Sequence, residues 1–166
     1  METISMELKR DLSMKEIAKR IRNQLKQEFP ALTFSVRMEL YSGGGSISVN
    51  LMKSDFRIVR DVKDISDMAF FIYEGRHYKK EQITKSQQDT NHQLNHHQFR
   101  EFKADEWNNG VFLTEKGHNT LRRVVEIAQA YNWDNSDSMT DYFDVNYYLH
   151  LELGKWDKPF IDGIKA

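Results

Sequence analysis

Cysteine is absent from this chain of 166 residues. That excludes a disulfide framework, a zinc ribbon and a cysteine nucleophile, and it suits a cytoplasmic protein. Proline occurs only 2 times, too rarely for a proline-rich linker. Net charge is nearly absent too: 24 basic residues stand against 25 acidic ones, for a formal −1. Such a balance argues against general attraction to nucleic acid and leaves a local basic patch open. No apolar run approaches the roughly 18 residues of a membrane-spanning helix. The opening METISMELKRDLS lacks the apolar core of a signal peptide. There is no internal repeat, and no motif specifies a reaction.

Aromatic residues, by contrast, make up 12% of the chain. Each buries a large area, so this length suffices for one domain with a real core. The clearest pattern is YFDVNYYLHLEL, residues 142–153. Phe143, Val145, Tyr147, Leu149, Leu151 and Leu153 fall on one face, and Tyr142, Asp144, Asn146, Tyr148, His150 and Glu152 on the other. Strict alternation predicts a strand with one buried and one polar face. At about 3.3 Å per residue it would span about 40 Å. It reads as the central strand of an antiparallel sheet whose polar face is open or only partly covered.

Earlier in the chain, residues 1–12 read as a loose lead-in. Ser13 and Glu16 have the spacing of a capping box that opens a helix. Ile17, Ala18, Ile21, Leu25 and Phe29 supply its apolar stripe, and Pro30 ends it. The basic residues between them read as a solvated helix face. Next, Phe34, Val36, Met38 and Leu40 alternate with polar residues, as do Ile47, Val49 and Leu51. Gly43-Gly44-Gly45 joins the two runs, which predicts a β-hairpin. These glycines do not open a helix, so the context of a phosphate-binding loop is missing.

Residues 54–113 read as an irregular insert. Within it, MAFFIYE (68–74) fits a strand or a buried helical turn equally, and 79–99, rich in Gln, Asn and His, reads as a surface excursion. Phe99, Phe102, Trp107 and Val111 to Leu113 bring the chain back to the core. Thr114 is placed to cap a second helix, with Leu121, Val124, Val125, Ala128 and Tyr131 at helical spacing and Ile127 flanking. The assembled expectation is a single α+β domain over 1–166. It is a two-layer sandwich, with an antiparallel sheet of three or more strands, two helices on one face and a long insert.

Three constellations bear on chemistry. His92 and His96, with His97 beside them, would share a face on a helix and could bind a divalent metal. The segment has no carboxylate at ligand spacing, so solvated histidines are the simpler reading. His150, near Tyr148 and Glu152, has the position of a general base or of a hydrogen-bonded surface histidine. Asp134, Asp137, Asp141 and Asp144 form an acidic turn. Its spacing departs from an EF-hand loop, and Asx-turn or capping roles explain it at less cost. A negative patch facing a basic partner protein is the functional alternative. The polar sheet face gathers Arg37, Glu39, Tyr41, Ser48, Asn50, Asn146, Tyr148 and His150. These residue types stack single-stranded nucleic acid and are also enriched at protein interfaces. The near-neutral charge favours protein.

Residues 16–51, EIAKRIRNQLKQEFPALTFSVRMELYSGGGSISVNL, resemble a known helix–hairpin. It is that of the twenty-ninth in a numbered series of small domains appended to large polyvalent proteins of phages and conjugative elements. The shared features are the Phe29-Pro30 helix end, the strand Phe34-Ser35-Val36-Arg37 and the glycine turn from Tyr41 to Ser46. The tail YNWDNSDSMTDYFDVNYYLHLELGKWDKPF resembles the end of standalone relatives, whereas the insert departs from the compact domain. The resemblance implies a mobile-element or bacterial cytoplasmic setting and a counter-defence role, and it carries over no catalytic residue. The expectation is therefore a non-enzymatic, cofactor-free and metal-free binding protein, an anti-CRISPR candidate without membrane attachment that contacts a host immune complex. Its binding residues are Arg37, Tyr41, Asn146, Tyr148, His150, Asp137 and Asp141. A single-stranded nucleic-acid binder is the alternative, and a metal-dependent enzyme built on the histidines or aspartates ranks below both.

Overall fold

The computed structural model describes residues 3–60, 92–103, 113–140 and 144–163. The lead-in is not loose: Ser5 caps a short helix α1, Met6–Asp11. Lys9 Nζ donates to the carbonyl of Asn132 at 3.1 Å, tying α1 to a distant loop. Helix α2, Met14–Glu28, opens on the expected capping box. Ser13 Oγ accepts from the Glu16 amide at 3.2 Å, and the Glu16 carboxylate accepts from the Ser13 amide at 3.0 Å. These bonds hold the exposed Glu16 carboxyl below its ordinary pKa. Ile17, Ala18, Ile21 and Leu25 are buried, so one stripe of α2 lies on the sheet.

Strands β1, Thr33–Tyr41, and β2, Gly44–Lys53, form the hairpin, with Tyr41 paired to Gly44. The loop is Ser42-Gly43 rather than the glycine triplet. Gly43 adopts φ +89°, a conformation that L side chains rarely take. Gly44 and Gly45 belong to the strand. A Cβ on Gly45 would stand 2.6 Å from Met14 Cε and 2.9 Å from the Glu39 carbonyl oxygen. Glycine there lets the start of α2 sit against the hairpin.

The sheet continues through β4, Tyr148–Leu153, to β3, His92–Leu94, in the order β1-β2-β4-β3. It is mixed, which corrects the antiparallel expectation: β2 and β4 run parallel, while β1–β2 and β3–β4 are antiparallel. A parallel pair needs a crossover connection. Helix α3, Glu115–Gln129, lies on that connection and packs against α2 and β4. Thr114 Oγ1 accepts from the Gly117 amide at 3.0 Å and caps it as expected. Leu121, Val124, Ile127 and Ala128 face inward, so Ile127 is core and the half-buried Val125 flanks it. The core is the layer between α2, α3 and one sheet face, where Val36, Ile47, Val49, Leu51, Leu149, Leu151 and Leu153 are buried. Arg123 forks onto Glu28 at 2.7 and 2.9 Å and joins the two helices. Half-exposed as it is, that pair adds at most about 1 kcal/mol.

The long strand is shorter than its alternation predicts. Within the described residues, the ladder begins at Tyr148. Upstream, neighbouring strands give way to the loop after α3. The Asn132 side chain accepts from the Tyr147 amide at 3.2 Å and donates to the Tyr147 carbonyl at 2.8 Å. The Asn146 amide donates to the Trp133 carbonyl. Tyr147 remains buried, its hydroxyl on the Ala128 carbonyl at 2.6 Å. Parts of the insert also differ from a plain excursion. Residues 92–94 form the edge strand β3, and Ile58, Leu94 and Leu113 are core. Phe99 and Phe102 both lie 5.3 Å from the His118 ring. Residues 68–74, Trp107, Val111 and Phe112 lie outside the described residues. The chain end is pinned by Asp162, whose carboxylate accepts from the Ile58 and Val59 amides at 2.7 and 3.0 Å.

Because Leu149 is buried at the centre of this sheet, Leu149→Asp should cost about 3–5 kcal/mol, enough to unfold a marginal domain. His150→Ala, on the exposed side, should stay within about 0.5 kcal/mol. Urea denaturation of both variants checks this; equal losses would mean that β4 is enclosed on both faces.

Candidate interaction surface

Alternation places every second residue of the sheet on the face away from the helices. Register then aligns them across strands: Arg37 with Ser48 and His150, and Glu39 with Ser46 and Tyr148. The β1 row and the β4 row carry long side chains, and the β2 row between them carries serines. The result is a shallow trough with exposed walls. Arg37, Glu39 and His150 are exposed, and Tyr41 and Tyr148 are each 46% exposed. At one end of the trough Asn50 is fully buried, its Nδ2 donating to the Gly154 carbonyl at 2.9 Å and to Glu152 at 3.2 Å. Its Oδ1 has no partner among the described residues.

Of the residues expected at the site, Arg37, Tyr148 and His150 are brought together, and Tyr41 stands at the hairpin end of the same face. Asn146 is not on that face. It precedes the ladder, and its Nδ2 donates to the Tyr131 carbonyl at 2.9 Å, a role in holding the loop. Asp137 is exposed and accepts from the Met139 amide at 2.9 Å; Asp134 does the same for Ser136 at 2.8 Å. Both are Asx turns. Asp141 lies outside the described residues.

The histidines singled out in the sequence do not share a helix face. His92 opens β3 and His96 opens a 3-10 turn, His96–Gln98, so they are not neighbours on one helix. The His96 and His97 rings lie with centroids 4.0 Å apart, tilted by 40° to each other. Burial, then the neighbouring His97 and His150, push the His96 pKa down to about 4. These residues, with Trp133, Tyr148 and Leu149, line a groove of about 900 Å³ beside β4. The Trp133 indole N–H is buried there without a partner among the described residues. Among the described residues, no cluster of three or more His, Asp or Glu could hold a metal ion, and no helix is long and apolar enough to cross a membrane.

Residues 12–106, more than half of the chain, match the family described as large polyvalent protein associated domain 29. The chain belongs to that family. Domain 29 is associated with large polyvalent proteins, which are linked to phages and mobile elements. The domain 29 match takes in α2, the hairpin and β3, with Arg37, Tyr41, His96 and His97, and ends before α3 and β4. Tyr148 and His150 therefore lie beyond the matched span. No curated protein and no solved structure matches the chain.

The depressed pKa of His96 has a consequence for stability. In the fold His96 stays neutral down to about 4, whereas the unfolded chain takes up that proton near 6.5. Stability should therefore be full above pH 6.5 and fall as the pH drops toward 4. His118, lowered mainly by burial, adds to the same trend. His96→Gln should flatten part of the fall, as read from urea midpoints across that range; an unchanged profile would mean that His96 is solvated in the fold.

Proposed function

We propose that this domain 29 protein is a non-enzymatic, cytoplasmic binding protein that acts in counter-defence, contacting a host immune complex through the open sheet face. The observation that carries the reading is the register-aligned trough, with Arg37 on one wall, Tyr148 and His150 on the other, and Tyr41 at its end. Arginine and tyrosine are over-represented among residues that dominate binding energy. Their strands hold them rigidly, so little side-chain freedom is lost on contact. The family's link to phages and mobile elements supports a setting in which host defences are the partners. The balanced charge supports a protein partner over nucleic acid.

Affinity capture from a bacterial host that carries active defence systems tests this. The wild-type chain should retain a defence component, and Arg37→Ala, Tyr41→Ala and Tyr148→Ala should each weaken retention by about 2 kcal/mol without loss of fold. Full retention by the triple variant would remove the trough as the contact surface. Binding that collapses steeply with added salt would replace protein with single-stranded nucleic acid.

A further inference from the structure

Strand β4 has two edges, and among the described residues only one is fully paired. The Gly154 amide donates to the Leu51 carbonyl, which fixes the phase of the ladder. Even-numbered residues of β4 turn their peptide groups toward β2. Tyr147, Leu149, Leu151 and Leu153 turn theirs to the opposite edge. There, Tyr147 is satisfied by the Asn132 side chain, which bonds both its amide and its carbonyl. Leu151 and Leu153 face Leu94 and His92 of β3. Leu149, between them, faces no described strand.

The gap has a local cause. After Leu94 the chain leaves the ladder, because the Asn95 side chain caps the 3-10 turn by accepting from the His97 amide at 3.0 Å. What remains beside Leu149 is the groove of about 900 Å³, lined by His96, His97 and Trp133 among others. An adjacent amide and carbonyl on one residue form a donor–acceptor pair at peptide spacing. Their natural complement is another extended peptide unit, and Asn132 already imitates one for Tyr147, two residues upstream on the same edge.

We propose that this groove receives an extended peptide segment of a partner protein, which prolongs β3 antiparallel to β4 and bonds both peptide groups of Leu149. Trp133 and Tyr148 are among the residues that line the groove, so the segment carries an aromatic or large apolar side chain next to the bonded residue. The site borders the trough, sharing its Tyr148 and His150 wall but not Arg37 or Tyr41. It stands whether or not the counter-defence reading does.

The test uses the full chain, labelled with 15N-leucine, and a library of short fluorescein-labelled peptides with a central aromatic residue. In the free protein, the Leu149 amide should exchange with solvent faster than the Leu151 amide. Selected peptides should raise fluorescence anisotropy, slow exchange at Leu149 and lose about fivefold or more in affinity when the central peptide nitrogen is methylated. Arg37→Ala should leave this binding unchanged, which separates it from the trough. Equal exchange at Leu149 and Leu151 in the free protein would overturn the proposal. So would an absence of binders at about 1 mM, indifference to N-methylation, or equal binding by a simple acetylated amide.

Discussion

The parallel pairing of β2 with β4 is the contact on which the other elements depend. It joins residues 102 positions apart in the chain. Ile47, Val49 and Leu51 lie beside Leu149, Leu151 and Leu153, and none of the six exceeds 5% exposure. The hairpin sets β1 beside β2, and β1 carries α2; α3 and β3 attach through β4, and Ile161 bridges to Lys53 where β2 ends. Contacts so distant in sequence must overcome loop-closure entropy before they contribute, so this fold should form slowly for its size.

Local features of the sequence were enough to place α2, α3 and the hairpin, whereas the short α1 was read as a loose lead-in. Ser13 and Glu16, Thr114, Pro30 and the apolar spacings act within a few residues, and no distant contact overrides them. Alternation along 142–153 assigned the correct face to each residue of β4, because period two decides sides. It is silent on which neighbour supplies the hydrogen bonds. Asn132 and Trp133 take that part at Tyr147 and Asn146, and the strand shortens without any change in its pattern. Strand direction was equally hidden, since it depends on where the chain returns after an insert with no clear periodicity.

The candidate site divides in the same way. Arg37, Tyr41, Tyr148 and His150 were legible as polar-face residues, and pairing places Arg37, Tyr148 and His150 side by side. Asn146 shares their phase, yet it lies before the ladder and bonds the Tyr131 carbonyl instead. The groove was not legible. His96 and His97 meet Trp133, Tyr148 and His150 only in three dimensions, and nothing local in NHHQF marks the end of an edge strand. The Asn95 cap that ends it is visible only against the ladder it interrupts.

The absence of cysteine allows the central pairing to be read directly by cross-linking. Neighbouring strands lie about 4.8 Å apart, within the roughly 4.4–6.8 Å Cα separation that a disulfide spans. Ser46 pairs with Tyr148 in the parallel register. The double variant Ser46→Cys with Tyr148→Cys should therefore close a disulfide under mild oxidation in the folded state. Ser46→Cys with Glu152→Cys, about 13 Å apart along β4, should not. A disulfide in the second variant and none in the first would show that β2 and β4 run antiparallel, and it would contradict the arrangement on which both the trough and the groove rest.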